Sequence, residues 1–275
     1  IASIIRSAAI MNTIYKADSC CVPSTQEIHI SLGAYGRLPH RQAIELALNA
    51  TPREPLLGRL STQRLQLCPQ NRGKMDVDVA MQLRADYPDI EFRLHANVHI
   101  DQQARIVDIA DWPQERDCFR QMAQVSSALA APAYTAHAGK RAKATVSDVL
   151  NDVLEIEQLF GVPVGIEGHY PSPDGKDHWL ISSWQEYRLL LESGVHYALD
   201  LSHLNIVAMQ TRYIEWQLVH ELLASPNCLE IHLSDNNGLA DQHLPLQYEH
   251  LPWWWPLLPD AYPQAVIFSE GRQLL

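Results

Sequence analysis

A chain of 275 residues that is 47% hydrophobic can bury a core large enough for one α/β barrel or for two small domains. Its formal charge of −11 disfavours an extended basic surface for nucleic acid, although a local patch can oppose the net charge. Five cysteines with no CxxC pair speak against a disulfide framework, and no apolar run approaches the roughly 20 residues of a membrane helix.

In chain order, IASIIRSAAIM is too short and interrupted for a signal peptide, and a cytoplasmic setting is expected. Residues 1–25 are expected to form an arm or extra helix outside a single domain spanning 26–275. Short apolar runs then recur, each ending on a polar residue: EIHISLG (27–33), RLQLC (64–68), IEFRLHAN (90–97) and AYTAHAG (133–139). They continue as VPVGIEG (162–168), VHYALDLSH (195–203), CLEIHLSD (228–235) and AVIFSEG (265–271). Between them lie stretches such as VSDVLNDVLEIEQLF (146–160) and WQEYRLLLES (184–193). Their apolar residues fall at i, i+3, i+4 and i+7, the stripe with which a helix covers a sheet. Eight strands with a helical segment after each of the first seven predict an α/β fold, a closed (β/α)8 barrel.

Ligand-type side chains sit late in these strands: His29, His95, His137, Glu167, Asp200, His232 and Glu270. The C-terminal ends of parallel barrel strands open on one face, so these residues are expected to meet at one mouth. Glu167, Asp200, His232 and Glu270 suit Mn²⁺, Mg²⁺, Zn²⁺ or Fe²⁺ and leave positions open for substrate. His203, three residues after Asp200, can turn back over the cavity. The segment HLSDNNGLADQH (232–243) carries more than a turn requires. Asn and Gly supply the turn, whereas Asp241 and His243 form a D-x-H pair fit for a further ion or for substrate.

The phrases HISLGAYG, RLHAN, YTAHAG, GIEG, ALDLSH, HLSDNNGLADQH and SEG resemble the xylose isomerase-like TIM-barrel superfamily, also called AP endonuclease family 2. The resemblance runs from about residue 27 to 272. It implies one of two branches. In one-metal sugar isomerases and epimerases the ligands correspond to Glu167, Asp200, His232 and Glu270, and the counterpart of His203 contacts substrate. In the three-zinc endonuclease IV pattern, nine ligands correspond to His95, His137, Glu167, Asp200, His203, His232, Asp241, His243 and Glu270. One to three ions are therefore expected.

The sequence departs from the endonuclease pattern in ANVHI after His95 and in LPLQYEHLPWWWP after the D-x-H pair. No dense basic run follows the early strands. Lys140, with Arg141 and Lys143, follows His137, and Arg272 follows Glu270; on an acidic protein these cations favour a small anionic substrate. The loop GHYPSPDGKDHW (168–179) reads as a lid lining the cleft, and the Trp253–Trp255 run as packing or as a stacking surface. The resulting expectation is a metal-dependent isomerase or epimerase of a small sugar, phosphosugar or sugar acid, with Glu167, Glu270 and His203 catalytic. The alternative is a multi-zinc phosphodiesterase. A homo-oligomer is compatible with both.

Overall fold

The computed structural model describes residues 26–96 and 107–273, apart from 173, 175 and 177. The expected arm, Cys20, Cys21, Asp177 and the segment from Asn97 lie outside the described residues. Eight parallel strands close a barrel: β1 Ile28–Ser31, β2 Ser61–Leu67, β3 Glu91–His95 and β4 Tyr134–His137, followed by β5 Val164–Glu167, β6 Tyr197–Asp200, β7 Cys228–Leu233 and β8 Val266–Ser269. Each pairs with its sequence neighbours, and β8 returns to β1. Among the described residues the outer ring contains α1 His40–Ala50, α2 Val77–Asp86, α3 Arg116–Leu129, α4 Val146–Phe160, α5 Trp184–Ser193, α6 Leu201–Thr211 and α7 Trp216–Ala224. No described helix is long and apolar enough to cross a membrane.

Strand alternation divides the barrel wall into two environments. Ile30, Leu65, Leu67, Leu94, Ile166, Leu199, Ile231 and Ile267 are fully buried in the hydrophobic core. The alternate positions carry Gln66, Arg93, Thr135, Glu167, Glu230 and His232, and their hydrogen bonds join strands that are not neighbours. Gln66 on β2, Arg93 on β3 and Thr135 on β4 all reach Glu230 on β7. Such bonds cross the lumen, so the barrel interior is a polar layer and the apolar core lies outside it.

Local signals set the helix ends. Thr145 and Asp148 form a capping box that starts α4, and Gly161, at φ +67°, ends it. A two-stranded hairpin, Arg53–Glu54 with Gly58–Arg59, precedes β2. It buries Glu54, whose carboxylate accepts from Leu246 N at 2.7 Å and from the Ser269 hydroxyl. Burial pushes its carboxyl up to about 7. Glu54→Ala would strand two buried donors at about 1–3 kcal/mol each. Urea unfolding should therefore show a loss of several kcal/mol, and an unchanged midpoint would refute this buttress.

Three expectations require correction. The connection after β7 contains only a 3₁₀ helix, Trp255–Asp260, among the described residues, because Pro252, Pro256 and Pro259 break up any α-helical ladder. The sixth strand stops at Asp200 and not at 203: Asp200 caps α6, which places His203 on a helix. His29 does not reach the mouth. It lies below it, 3.2 Å from Arg64 and 3.8 Å from Glu27, because it stands two residues short of the end of β1.

Candidate metal centre

Strand register brings the ligand-type residues level. His137 is the partner of Glu167, and Asp200 that of His232. Glu167 sits at the centre. Its Oε2 lies 3.1 Å from His232 Nδ1 and 3.3 Å from His95 Nε2, and its Oε1 lies 3.5 Å from both His137 Nε2 and His203 Nδ1. Glu270 enters from the end of β8, with Oε1 3.8 Å from His232 Nδ1 and Oε2 3.8 Å from His243 Nδ1.

Asp200 owes its aim to the helix it caps. Its Oδ1 accepts from Ser202 N at 2.6 Å and His203 N at 3.1 Å, which turns Oδ2 toward His203 Nε2 at 3.3 Å. His203 Nδ1 donates to Gly168 O at 2.8 Å, leaving Nε2 on the cavity side. The Gly168 position admits no side chain, since a Cβ there would meet the Tyr187 ring at 2.6 Å.

The segment after β7 folds back as its turn residues suggest. Gly238 has φ +74°, Asn237 Oδ1 accepts from Leu239 N and Ala240 N, and Asp235 pairs with Leu244 through two backbone bonds. Asn236 ties the loop to α6 through Ser202 O and Asn205. Asp241 is thereby delivered 2.5 Å from His243 Nε2 and 3.8 Å from His203 Nε2. His243 holds a left-handed backbone at φ 49°, strain of the kind stored where a side chain must be aimed.

Four carboxylates in so small a buried volume need positive charge beside them. Burial favours the neutral form of Glu167, yet His95, His137 and His232 hold its carboxyl well below the ordinary value. Burial lowers His232, but Glu167 and Glu270 raise its imidazole well above the usual range; Asp200 and Asp241 do the same for His203. Burial drives His95 down to about 3, so its imidazole is neutral. Burial, reinforced by Asp200 and Glu167, raises Glu270 to about 7.

The residues fit a divalent ion on two counts. Glu167 Oε2 and His232 Nδ1 are buried without a hydrogen-bond partner, although they face each other. Three groups of donors also converge within 4.8 Å: His95, Glu167 and His232; Glu167, Asp200 and His203; and Asp200, His232 and Glu270. Mixed imidazole and carboxylate donors suit zinc, manganese or ferrous iron.

The remaining candidates divide. Lys140 is exposed, with its ammonium 5.6 Å from the centre of the Trp179 ring. Arg141 pairs with Glu186 and Lys143 with Asp111, so both cations brace loops. Arg272 is exposed and joins the site through its backbone N–H, which donates to His243 O. In the 168–179 loop, His178 and Asp174 pair with each other on the surface at 3.2 Å. Trp253 donates to Asn205 and Trp254 is buried, so the tryptophan run packs the loop down.

Two residues outside the expected ligand set matter here, His169 of the 168–179 loop and Glu230, which the sequence reading did not single out. His169 is buried, stacks on His137 at 4.7 Å and lies tilted against Trp179 at 4.5 Å. Glu230 is fully buried beneath His232, and its signal was the i, i+2 spacing that puts both on the lumen face.

No protein-family model matches the sequence, and no curated protein matches it. Solved structures do match. A D-tagatose 3-epimerase-like protein superposes with a TM-score of 0.59 at 17% identity, covering 90% of this chain and 92% of its own. The IolI protein with a bound zinc atom gives 0.55 at 10% identity, covering 90% of each chain. Endonuclease IV from Thermus thermophilus gives 0.52 at 14%, covering 88% of this chain and 90% of its own. These neighbours are xylose isomerase-like TIM-barrel proteins, and at such identities the likeness establishes the shared fold.

Proposed function

We propose that the chain is a divalent-metal-dependent isomerase or epimerase acting on a small sugar, phosphosugar or sugar acid. One observation carries the reading: Glu167 and Glu270, from different strands, both approach the same imidazole nitrogen of His232, at 3.1 and 3.8 Å. They frame a position for an ion and for substrate oxygens beside it. A bound divalent ion supplies Lewis-acid polarisation of adjacent substrate oxygens, which acidifies the carbon-bound proton between them. Glu270, 3.8 Å from His232 Nδ1, is a carboxylate placed to exchange that proton. Glu167 faces the same position from another strand, His203 Nε2 lies within reach of a substrate hydroxyl, and Lys140 and Arg272 are the cations available to an anionic group. The fold shared with the D-tagatose 3-epimerase-like protein supports this choice.

A second reading is favoured by the overlap of the donor groups, since Glu167 and Asp200 each belong to two of the three. Shared carboxylates suit a multi-ion phosphodiesterase, and endonuclease IV is among the structural neighbours. Metal counting on purified protein, with assays on ketose and aldose sugars, their phosphates and abasic DNA, separates the two. One ion per chain with epimerised sugar is the expected result. Three ions with cleaved abasic DNA would overturn it.

A further inference from the structure

We infer that Glu230 is a positioning residue that sets, from below, which nitrogens of His95 and His232 face the metal position. The inference rests on the metal-dependent reading above. Glu230 lies two residues before His232 on β7 and is fully buried. Four donors surround its carboxylate. Arg93 Nη1 reaches Oε1 at 3.3 Å, and Gln66 Nε2, His232 Nε2 and Thr135 Oγ1 reach Oε2 at 3.0, 3.2 and 3.3 Å.

Hydrogen-bond accounting then fixes both imidazoles. A carboxylate only accepts, so the nitrogen of His232 that faces Glu230 carries the proton. Its other nitrogen, Nδ1, faces Glu167 and Glu270, and it is the one that would give up its proton and turn its lone pair to an ion bound there. Thr135 has one hydroxyl proton, directed to Glu230. Its oxygen therefore accepts from His95 Nδ1–H, 3.0 Å away, and His95 Nε2 turns its lone pair toward Glu167.

Gln66 is the competitor, because its Nε2 lies 2.8 Å from His232 Nε2. An amide donating there would move the ring proton to Nδ1 and close that nitrogen to a metal. A charge-assisted bond is roughly twice as strong as a neutral one, so the Glu230 arrangement prevails. Arg93 also donates to Glu91 at 2.9 Å, so neutralising Glu230 does not leave the guanidinium alone.

The test measures zinc affinity by chelator competition on wild type, Glu230→Gln and Thr135→Val, with melting of the stripped proteins alongside. Outer partners of ligating histidines are typically worth 10- to 100-fold in affinity. Glu230→Gln should weaken zinc binding by about that factor, and Thr135→Val, which releases only His95, by less. Imidazole ¹⁵N spectra of zinc-loaded wild type should show the His232 proton on Nε2. Zinc affinity in Glu230→Gln within twofold of wild type would overturn the inference while leaving the metal reading intact. A wild type that binds no zinc would overturn both. If Glu230→Gln does not fold, an unchanged affinity in Thr135→Val overturns the shared-carboxylate logic.

Discussion

Replacing His232 with Ala is expected to empty the primary metal position and abolish turnover while leaving the barrel folded. His232 is fully buried, and its Nδ1 is flanked by Glu167 and Glu270 with no hydrogen bond to occupy it. Its neighbours on β7, Ile231 and Leu233, point the other way into the apolar core, so strand packing survives the change. Metal catalysis of this kind contributes several kcal/mol to the transition state, which corresponds to a loss of about 10³-fold or more. Elemental analysis and circular dichroism on the same sample provide the check. A folded variant with full metal content would show that His232 is not a ligand.

Asp200 permits a cleaner version of that experiment. Asp200→Ala removes both a ligand oxygen and the cap of α6, and losing a cap typically costs about 1 kcal/mol. Asn keeps the capping oxygen and discards the charge.

The fold was legible because eight short apolar runs, each ending on a polar residue, alternate with stretches carrying a helical stripe. Polar groups at the ends of runs such as YTAH and VGIE had only one place to converge once the strands closed. Depth within the lumen was less legible. His29 and His95 look equivalent in sequence, yet they stand at different heights, because a strand position late in an apolar run does not specify how far the strand extends. The i, i+2 spacing to His232 marks Glu230 as lumen-facing, but the meeting of Gln66, Arg93, Thr135 and Glu230 in a lower layer was not legible, for a related reason. Its members come from four strands, and only the closed barrel shows that they meet. The last connection failed as a helix because its proline spacing outweighed its apolar content.

Asp241→Ala is the substitution that separates the two chemistries, and the expected result is retained metal with impaired turnover. Asp241 belongs to none of the three convergent donor groups, whereas Asp200, His203, His232 and Glu270 each belong to at least one. Its carboxylate bonds His243 Nε2 and lies 3.8 Å from His203 Nε2. Burial opposes its ionisation, but His203 and His243 hold it charged, far below the ordinary carboxylate range. The pair is therefore a charged wall of the cavity, adjacent to Glu270 through His243 Nδ1. If the primary ion rests on Glu167, Asp200, His232 and Glu270, deleting this wall leaves the metal count near that of wild type. It removes the partner of His243 Nε2 and a charge beside His203, and misplacing groups that hold a substrate can cost about 10²-fold in turnover. A multi-ion site behaves differently. Asp241, His203 and His243 would then hold an ion of their own, and the variant would lose metal along with activity. Inductively coupled plasma analysis of wild type and variant, paired with kcat on the same sugar substrate, reads both quantities at once. A fall in metal count would reject the one-ion reading, and unchanged metal with unchanged kcat would reject any role for the D-x-H pair.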